Sequence, residues 1–180
     1  MNQLPRDIPY GKNYSTGEYL KRLLWSLVWP LFRLSPRLLY GWRNVLLRLF
    51  GARIGKGVKI YPSASITFPW NLTINDNTVV SWGVKLYNLG EITIGRDTII
   101  SQYAHICAGN HDYTTPDFKL LKTPISVGDH VWIAADAFVG PGVRVGDHSV
   151  VLARSVVVKD VESGTVVAGH PAKVVKQVPG

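Results

Sequence analysis

Residues 127–157 read VGDHVWIAADAFVGPGVRVGDHSVVLARSVV, with an aliphatic residue at every sixth position. A helix repeats its side-chain directions about once per turn and a strand at every second residue, so neither explains a period of six. This period is typical of a parallel β-helix, in which each repeat supplies one short strand and one turn, and stacking buries the aliphatic column. The sequence therefore predicts an all-β solenoid. The repeated positions are Val127, Ile133, Val139, Val145, Val151 and Val157.

The same period continues toward the N-terminus, with shifts of phase that measure the length of each coil. If three hexapeptides form one triangular coil, a coil takes three times six positions, which is the separation of Val127 and Val145. Ile74 and Ile94 are 20 apart, which predicts a slightly longer coil. Ile94 and Val127 are 33 apart, so that coil carries an insertion almost as long as a regular coil. We expect residues 112–124 to form an outward loop that carries function.

The net charge of +8 is concentrated in the first 53 of the 180 residues. That segment holds nine Lys and Arg against two acidic residues, whereas residues 54–180 hold eleven against ten. A nearly neutral repeat region argues against nucleic-acid binding along its length. The single cysteine, Cys107, excludes an internal disulfide. With no evident signal peptide, we expect a cytoplasmic protein.

Residues 1–53 are predicted to form a basic, amphipathic helical segment. Leucines at spacings of three and four over residues 20–34 indicate one helix, which Pro30 should kink or divide. The pair Ser35-Pro36 predicts the N-cap and first turn of a second helix, which Gly51 should end. The apolar run of about ten residues is too short to cross a bilayer.

Two interpretations of this helical segment are compatible with the sequence. It can pack against the end or side of the β-helix and cover exposed strand edges. It can also lie at an anionic membrane surface through residues 18–50, since Trp25, Trp29, Trp42 and the arginines are typical of interfacial helices. We expect either role, or both together.

Several segments of the chain resemble the hexapeptide-repeat acyltransferases. The resemblance covers about residues 50–176 and is close to the maltose, galactoside and nodulation-factor O-acetyltransferases. It is closer still to acetyltransferases of colanic acid and related exopolysaccharide synthesis, which have a similar Trp- and Arg-rich front segment. The matching segments are LFGARIG (49–55), IGRDTII (94–100), VGDHVWI (127–133), VGPGV (139–143) and VAGHPAKV (167–174).

The resemblance implies a left-handed parallel β-helix over residues 54–176, assembled as a homotrimer with active sites between neighbouring subunits. It also implies an enzyme that transfers an acetyl group from acetyl-CoA to a sugar hydroxyl without a metal. The acceptor would be an intermediate of exopolysaccharide or another surface glycan, either small or linked to a lipid. A non-catalytic scaffold at the membrane remains an alternative, and so does a zinc carbonic anhydrase, which needs three histidine ligands.

Acetyl transfer to a hydroxyl requires a base, and histidine is the usual one near neutral pH. His111 ends the segment AGNH (108–111), directly before the inserted loop, and matches the position of the catalytic histidine in the sugar O-acetyltransferases. We therefore expect His111 to be the general base. From the residue pattern alone, a turn histidine facing water is the alternative. His130 and His148 are one regular coil apart in the sequence, so they should stack as solvated turn residues on successive coils.

The remaining candidate residues are assigned to the two substrates. The resemblance places Asn88 across the site from the base and Trp132 near it, whereas His105 could orient a substrate or the base, or simply pack. Asp112 and Tyr113 suit a sugar through hydrogen bonds and ring stacking. Coenzyme A is implied to lie between β-helices, with small residues at its pantetheine arm and basic residues at its phosphates. The coenzyme candidates are Ala135, Ala153, Arg154, Lys159, His170 and Lys173.

Overall fold

The structure, a computed structural model, describes residues 14–178, so the first part of the predicted helical segment lies outside the described residues. Helix α1 spans Thr16–Arg33 and begins at a capping box. The Glu18 amide donates to the Ser15 hydroxyl (3.2 Å), and the Ser15 amide donates to the Glu18 carboxylate (2.8 Å). These two bonds satisfy amide groups that have no partner within the helix. Pro30 lies inside α1, so it does not divide the helix as one of the predicted outcomes required.

Helix α2 spans Tyr40–Leu49, so it begins later than a start at Pro36 would allow. The predicted N-cap, Ser35, has another role, since its hydroxyl donates to the Phe32 carbonyl (2.7 Å) at the end of α1. The same hydroxyl accepts a bond from Arg43 (2.8 Å). The predicted end of α2 is confirmed, because Gly51 follows it with φ of +91°, a conformation that glycine adopts without strain.

Within the described residues, five complete coils and a partial sixth stack into a parallel β-helix. The strands of coils 1 to 3 are β1 (Arg53–Ile54), β2 (Lys59–Ile60), β3 (Ser65–Ile66), β4 (Leu72–Ile74), β5 (Val79–Val80), β6 (Lys85–Tyr87), β7 (Ile92–Ile94), β8 (Ile99–Ile100) and β9 (His105–Cys107). A 3-10 helix at Pro69–Asn71 precedes β4. The insertion contains β10 (Asn110–His111) and β11 (Leu120–Leu121). The later strands are β12 (Ile125–Val127), β13 (Trp132–Ile133), β14 (Phe138–Val139), β15 (Arg144–Val145), β16 (Val150–Val151), β17 (Val156–Val157), β18 (Thr165–Gly169) and β19 (Ala172–Gln177).

The strands form three sheets, which we name A, B and C in the order that the chain visits them. Sheet A contains β1, β4, β7, β12 and β15; sheet B contains β2, β5, β8, β13, β16, β18 and β19; sheet C contains β3, β6, β9, β14 and β17. In sheet A, Ile74 pairs with Ile94, Ile94 with Val127, and Val127 with Val145. These registers confirm the three predicted coil lengths, including that of the coil with the insertion.

The aliphatic column predicted from the period of six fills the interior, where its side chains are buried. Residues between the strands turn the chain at the corners, often with positive φ. At one corner the rings of His130 and His148 stack with centroids 4.8 Å apart, which confirms their predicted position on successive coils. The regular coils thus form a rigid wall, and the insertion after coil 3 interrupts it.

Side chains from the two helices cover the carbonyl edge of coil 1. The strand edge at the end of a β-helix presents unpaired backbone groups that would otherwise invite pairing with another chain. Four donors of α1 and α2 bind carbonyl oxygens there, and Trp25, Phe32 and Leu47 pack into the core beneath them. The packing interpretation is therefore confirmed. The bonds are Arg43 to Ile60 (2.6 Å), Asn44 to Val58 (2.8 Å), Arg48 to Ile54 (2.7 Å) and Trp25 to Ile66 (3.0 Å).

Candidate active site

The insertion leaves the β-helix at the corner between sheets C and A and forms an antiparallel hairpin. In this hairpin β10 pairs with β11, so that His111 lies opposite Leu120. The hairpin returns directly over the preceding coil, where a Cβ on Gly90 would come within 2.9 Å of backbone atoms of Lys122 and Thr123. Because glycine has no Cβ, the returning strand can lie against the coil. The position of the hairpin root is therefore set by backbone packing.

His111 is exposed at the start of the hairpin, and a backbone group holds its ring. Its Nδ1 lies 2.5 Å from the carbonyl oxygen of Phe118. A carbonyl oxygen only accepts, so Nδ1–H donates this bond and the neutral ring has its lone pair on Nε2. Phe118 has φ of +45°, an uncommon conformation for a bulky residue, which the hairpin imposes at the point that presents this carbonyl. A fixed ring with a free Nε2 can act as a general base.

Asp112 and Tyr113, both predicted to bind the acceptor, differ in their availability. The Asp112 carboxylate accepts bonds from the hydroxyl (2.6 Å) and amide (2.9 Å) of Thr114. These bonds lower the pKa of Asp112, with the larger effect from the Thr114 hydroxyl. They also commit one carboxylate oxygen to the turn. The Tyr113 side chain is 82% exposed, so its ring is available to stack on a ligand. The hairpin tip therefore presents Tyr113 more openly than Asp112.

Asn88 departs from its predicted role, because both polar atoms of its side-chain amide bond to the protein itself. Its side chain has 0% exposure. Its Oδ1 accepts bonds from the amides of Thr67 (3.0 Å) and Phe68 (2.9 Å), and its Nδ2 donates to the Phe68 carbonyl. These bonds leave the amide turned into the wall of the coil and away from any sugar in the solvent. We therefore reassign Asn88 to the support of the coil beneath the hairpin.

His105 lies on the outward face of sheet C and is half-buried between aromatic rings. Its centroid is 6.5 Å from that of Tyr87 and 5.4 Å from that of Phe138, both in edge-on arrangements. Burial first, and then the positive charge of Lys85, lower the pKa of His105 below its ordinary value. The ring is therefore neutral near pH 7. This position suits packing and also leaves the ring on the same side of the β-helix as the hairpin root.

Trp132 lies on the outward face of sheet B, away from the corner that carries the hairpin. Its side chain is 46% exposed, and its Nε1–H donates to the Ser101 hydroxyl (2.9 Å). Sheet B is opposite the corner between sheets C and A in a three-sided coil. Trp132 and His111 therefore do not meet within one chain.

The candidate coenzyme residues fall into two groups. Ala135 and Ala153 occupy matching positions at the corner between sheets B and C, where the Arg154 amide donates to the Ala135 carbonyl (2.9 Å). Arg154 is exposed and has φ of +59° at this corner. The second group, consisting of Lys159, His170 and Lys173, is exposed toward the C-terminal end of the β-helix, with Lys173 on β19 opposite Ala168.

Residues 14–178 contain no group of three His, Cys, Asp or Glu side chains placed to hold a metal ion. The zinc carbonic anhydrase alternative needs three histidine ligands, but His105, His111 and His130 lie on different elements. They are distributed over an outward sheet face, the hairpin root and the corner between sheets A and B. The described chain therefore does not assemble the ligand set of that alternative.

Comparisons with known proteins identify the group to which this arrangement belongs. The chain is 47% identical over 167 residues to WcaF of Escherichia coli (strain K12), provisionally named a colanic acid biosynthesis acetyltransferase. That match covers 92% of each protein. The chain belongs to the hexapeptide-repeat acetyltransferase family. No family model matches it.

Solved structures of hexapeptide-repeat acetyltransferases share the fold. The hexapeptide-repeat acetyltransferase VCA0836 of Vibrio cholerae superimposes with a TM-score of 0.85 and 27% identity, over 92% of this chain and 95% of that one. A galactoside acetyltransferase solved in complex with coenzyme A gives a TM-score of 0.84 and 25% identity, over 92% and 84%. The predictions of a hexapeptide-repeat β-helix and of an acyltransferase are confirmed.

In this hexapeptide-repeat acetyltransferase, one contact near the hairpin was not predicted from the sequence. Lys122, which follows β11, forms an ion pair with Glu18 of α1 at 3.1 Å. The Lys122 ammonium also lies 4.7 Å from the centroid of the Tyr14 ring. The pair joins residues 104 positions apart, so no local pattern reveals it. It connects the helical segment to the hairpin that carries His111.

Proposed function

We propose that the protein is an acetyl-CoA-dependent O-acetyltransferase that modifies a sugar hydroxyl, with His111 as its general base. The observation that carries the proposal is the bond between His111 Nδ1–H and the Phe118 carbonyl. It fixes the tautomer whose Nε2 can accept a proton. The similarity to a galactoside acetyltransferase solved with coenzyme A supports the choice of substrates.

His111 Nε2 removes the proton from the acceptor hydroxyl as the hydroxyl oxygen attacks the thioester carbonyl carbon. When the tetrahedral intermediate collapses, the bond from carbon to sulfur breaks and His111 returns the proton to the departing thiolate. The Phe118 carbonyl accepts from Nδ1–H throughout, so it also stabilises the imidazolium that forms. General-base assistance of this kind contributes about 100- to 10,000-fold to the rate.

The acceptor that we infer is an intermediate of exopolysaccharide or another surface glycan. The 47% identity to WcaF, named for colanic acid biosynthesis, supports this class. Tyr113 at the exposed hairpin tip offers a ring for stacking on a sugar, and His105 offers a neutral imidazole on the neighbouring sheet face. A cytoplasmic enzyme at the inner face of the membrane fits an acceptor of this kind, since the helices over residues 18–50 are basic and amphipathic.

We also infer that the active enzyme is a homotrimer, because two parts of the proposed site lie on opposite sides of one chain. Ile99 (47% exposed) and Trp132 (46% exposed) are paired on the outward face of sheet B, which is an unusual position for large apolar side chains. Packing this face against a neighbouring subunit would bring Trp132 of one subunit toward His111 of another. Coenzyme A would lie in the same groove, with Ala135, Ala153 and Arg154 on one wall.

The test is thiol release from acetyl-CoA with a panel of free sugars, nucleotide sugars and lipid-linked glycans. We expect His111→Ala to lower kcat at least about 100-fold for any sugar that the wild type accepts. The matched control is His148→Ala, which removes an exposed histidine at a distant corner and should leave kcat unchanged. Full activity of His111→Ala, or activity with amines alone, would overturn the proposal.

A further inference from the structure

The outward faces of α1 and α2 are apolar, contrary to the usual pattern of surface helices. A helix that packs on a domain normally turns charged and polar residues to the solvent. Here Leu34 and Leu38, at the turn between the helices, are 82% and 80% exposed, and Leu27 is 68% exposed. Other aliphatic or tryptophan side chains that are at least 44% exposed on the helices and the turn between them are Leu20, Leu23, Leu24, Leu31, Leu39, Trp42, Val45 and Leu49. We name this set, with those three leucines, the leucine face.

The leucine face cannot be an incompletely packed core, because the opposite sides of both helices are already buried. Trp25 and Phe32 of α1, and Leu46 and Leu47 of α2, enter the hydrophobic core. Arg43 is fully buried and makes four hydrogen bonds, which fix the rotation of α2 about its axis. Rotating either helix to bury its leucines would break these contacts. The leucine face is therefore a second, separate surface.

The exposed leucines of the two helices form one continuous surface. An apolar groove of about 300 Å³ lies between α1 and α2 and joins their outward faces. Across it the Trp42 Nε1–H donates to the Leu31 carbonyl (3.1 Å), which fixes the indole at the side of the groove. The groove is lined by Pro30, Leu31, Leu34, Ser35, Pro36, Leu39 and Trp42. A single partner can therefore cover both helices at once.

Charge identifies the kind of partner. Residues 14–50 contain six Lys and Arg, of which all but the buried Arg43 can contribute charge to the surface. They contain one acidic residue, Glu18, whose carboxylate is paired with Lys122. Arg33 is exposed beside the leucines at the end of α1. Arg37 is exposed at the same turn, where its guanidinium donates to the Tyr61 hydroxyl (2.7 Å). Two copies of this face packed together would bring like charges into contact. A surface that is apolar below and negatively charged at its edge is complementary to it, and an anionic lipid bilayer has this structure.

We propose that the leucine face is a docking surface for an anionic lipid bilayer. In this arrangement α1 and α2 lie in the plane of the interface, with their leucines among the acyl chains and Arg33 at the phosphates. Neither helix of the described chain is long and apolar enough to cross a membrane. The buried sides of the helices remain on coil 1, so the end of the β-helix faces the membrane.

This orientation places the hairpin close to the membrane. Coil 3 lies two strand spacings, about 10 Å, beyond coil 1, and the helical layer adds about 10 Å. His111 is therefore roughly 20 Å from the lipid headgroups. An acceptor sugar tethered to a lipid through a diphosphate or a short glycan could span that distance. This consequence for the substrate rests on the proposed function, whereas the docking surface itself does not.

The test is flotation of the full-length protein with vesicles of phosphatidylcholine, with and without phosphatidylglycerol. We expect binding to the anionic vesicles, reduced by added salt. The double variant Leu34→Asn/Leu38→Asn should lower the vesicle partition coefficient at least about 100-fold, because both side chains lose most of their transfer free energy. The matched control Val174→Asn/Val175→Asn, in which both valines of β19 are more than half exposed, should bind as the wild type does.

Each of the following results would overturn the docking proposal. Equal binding of both double variants would show that the leucines do not mediate it, and absence of binding to anionic vesicles would exclude a lipid partner. A change in molar mass by light scattering for Leu34→Asn/Leu38→Asn alone would make the leucine face an interface between copies. Thiol release with a free sugar, measured in parallel, tests His111 independently, so failure of one proposal does not hide failure of the other.

Discussion

Asn88→Ala distinguishes two roles for a residue that the sequence assigns to acceptor binding and the structure assigns to support. The substitution removes three hydrogen bonds, from the Thr67 and Phe68 amides and to the Phe68 carbonyl. At about 1 kcal/mol for each bond, the free energy of unfolding should fall by about 3 kcal/mol. For a chain of this length that loss lowers Tm by roughly 6–12 °C. Phe68 is buried, so water cannot easily replace the missing partner.

The measurement is thermal unfolding followed by circular dichroism at one fixed protein concentration, since the proposed assembly into trimers would make Tm depend on concentration. Asn75→Ala is the matched control, because Asn75 is exposed on the same coil, and its Tm should change by less than about 1 °C. At a temperature where both variants are folded, the KM for the acceptor should stay within about twofold of wild type. An unchanged Tm together with a large increase in that KM would refute the structural assignment and restore the acceptor-binding one.

Three further changes follow from the packing. Arg43→Met leaves the acceptors of four hydrogen bonds without a donor, so the free energy of unfolding should fall by at least about 3 kcal/mol. The control Arg96→Met removes only an exposed ion pair and should lower it by less than about 1 kcal/mol. Gly90→Ala should displace the returning strand of the hairpin, which lowers kcat and costs about 1–3 kcal/mol in stability. In the control Gly41→Ala nothing lies within 4 Å of the added Cβ, so the change should stabilise α2 by up to about 1 kcal/mol. Burial lowers the pKa of His105 in the folded state, so the unfolded chain binds the proton first. Stability should therefore fall as pH drops below about 6.5, and His105→Leu should reduce that slope in Tm against pH.

The β-helix could be predicted in detail because its determinants are periodic. Every coil requires a buried aliphatic residue at the same positions, so the many repeats together establish the register even where one position departs from the pattern. Even the length of the coil with the insertion could be predicted, because Ile94 and Val127 remain in register on either side of the insertion. The start of α2 was not predictable in the same way. Ser35 precedes a proline, as the N-cap of a helix often does, but its hydroxyl bonds to Phe32 and Arg43. Only the packing of α1 against α2 brings those groups together.

The candidate site was predictable only in part, for a related reason. His111 could be located because it follows a strand whose position the period fixes. The group that orients its ring could not, since Phe118 is seven residues away and its positive φ has no signal in a bulky aromatic residue. The ion pair of Lys122 with Glu18 depends on how α1 lies against the solenoid, which no local pattern encodes. Backbone positions set by the repeat could be predicted, whereas the side-chain contacts made by the insertion could not.

The same division explains how the proposed general base, His111, can lie on an insertion and still be held in a fixed position. Backbone bonds join both ends of the hairpin to coil 2 and coil 3, since the Gly90 amide donates to the Ala108 carbonyl (2.9 Å) and the Ile125 amide to the Glu91 carbonyl (2.9 Å). His111 follows closely after the first of these anchors, whereas the tip beyond it is exposed. A base must be placed within a fraction of an ångström of the proton that it removes, but contacts to an acceptor can adapt to its shape. Under the proposed function, chemistry lies at the hairpin root and acceptor recognition at its tip, so the tip can change its acceptor without moving the base.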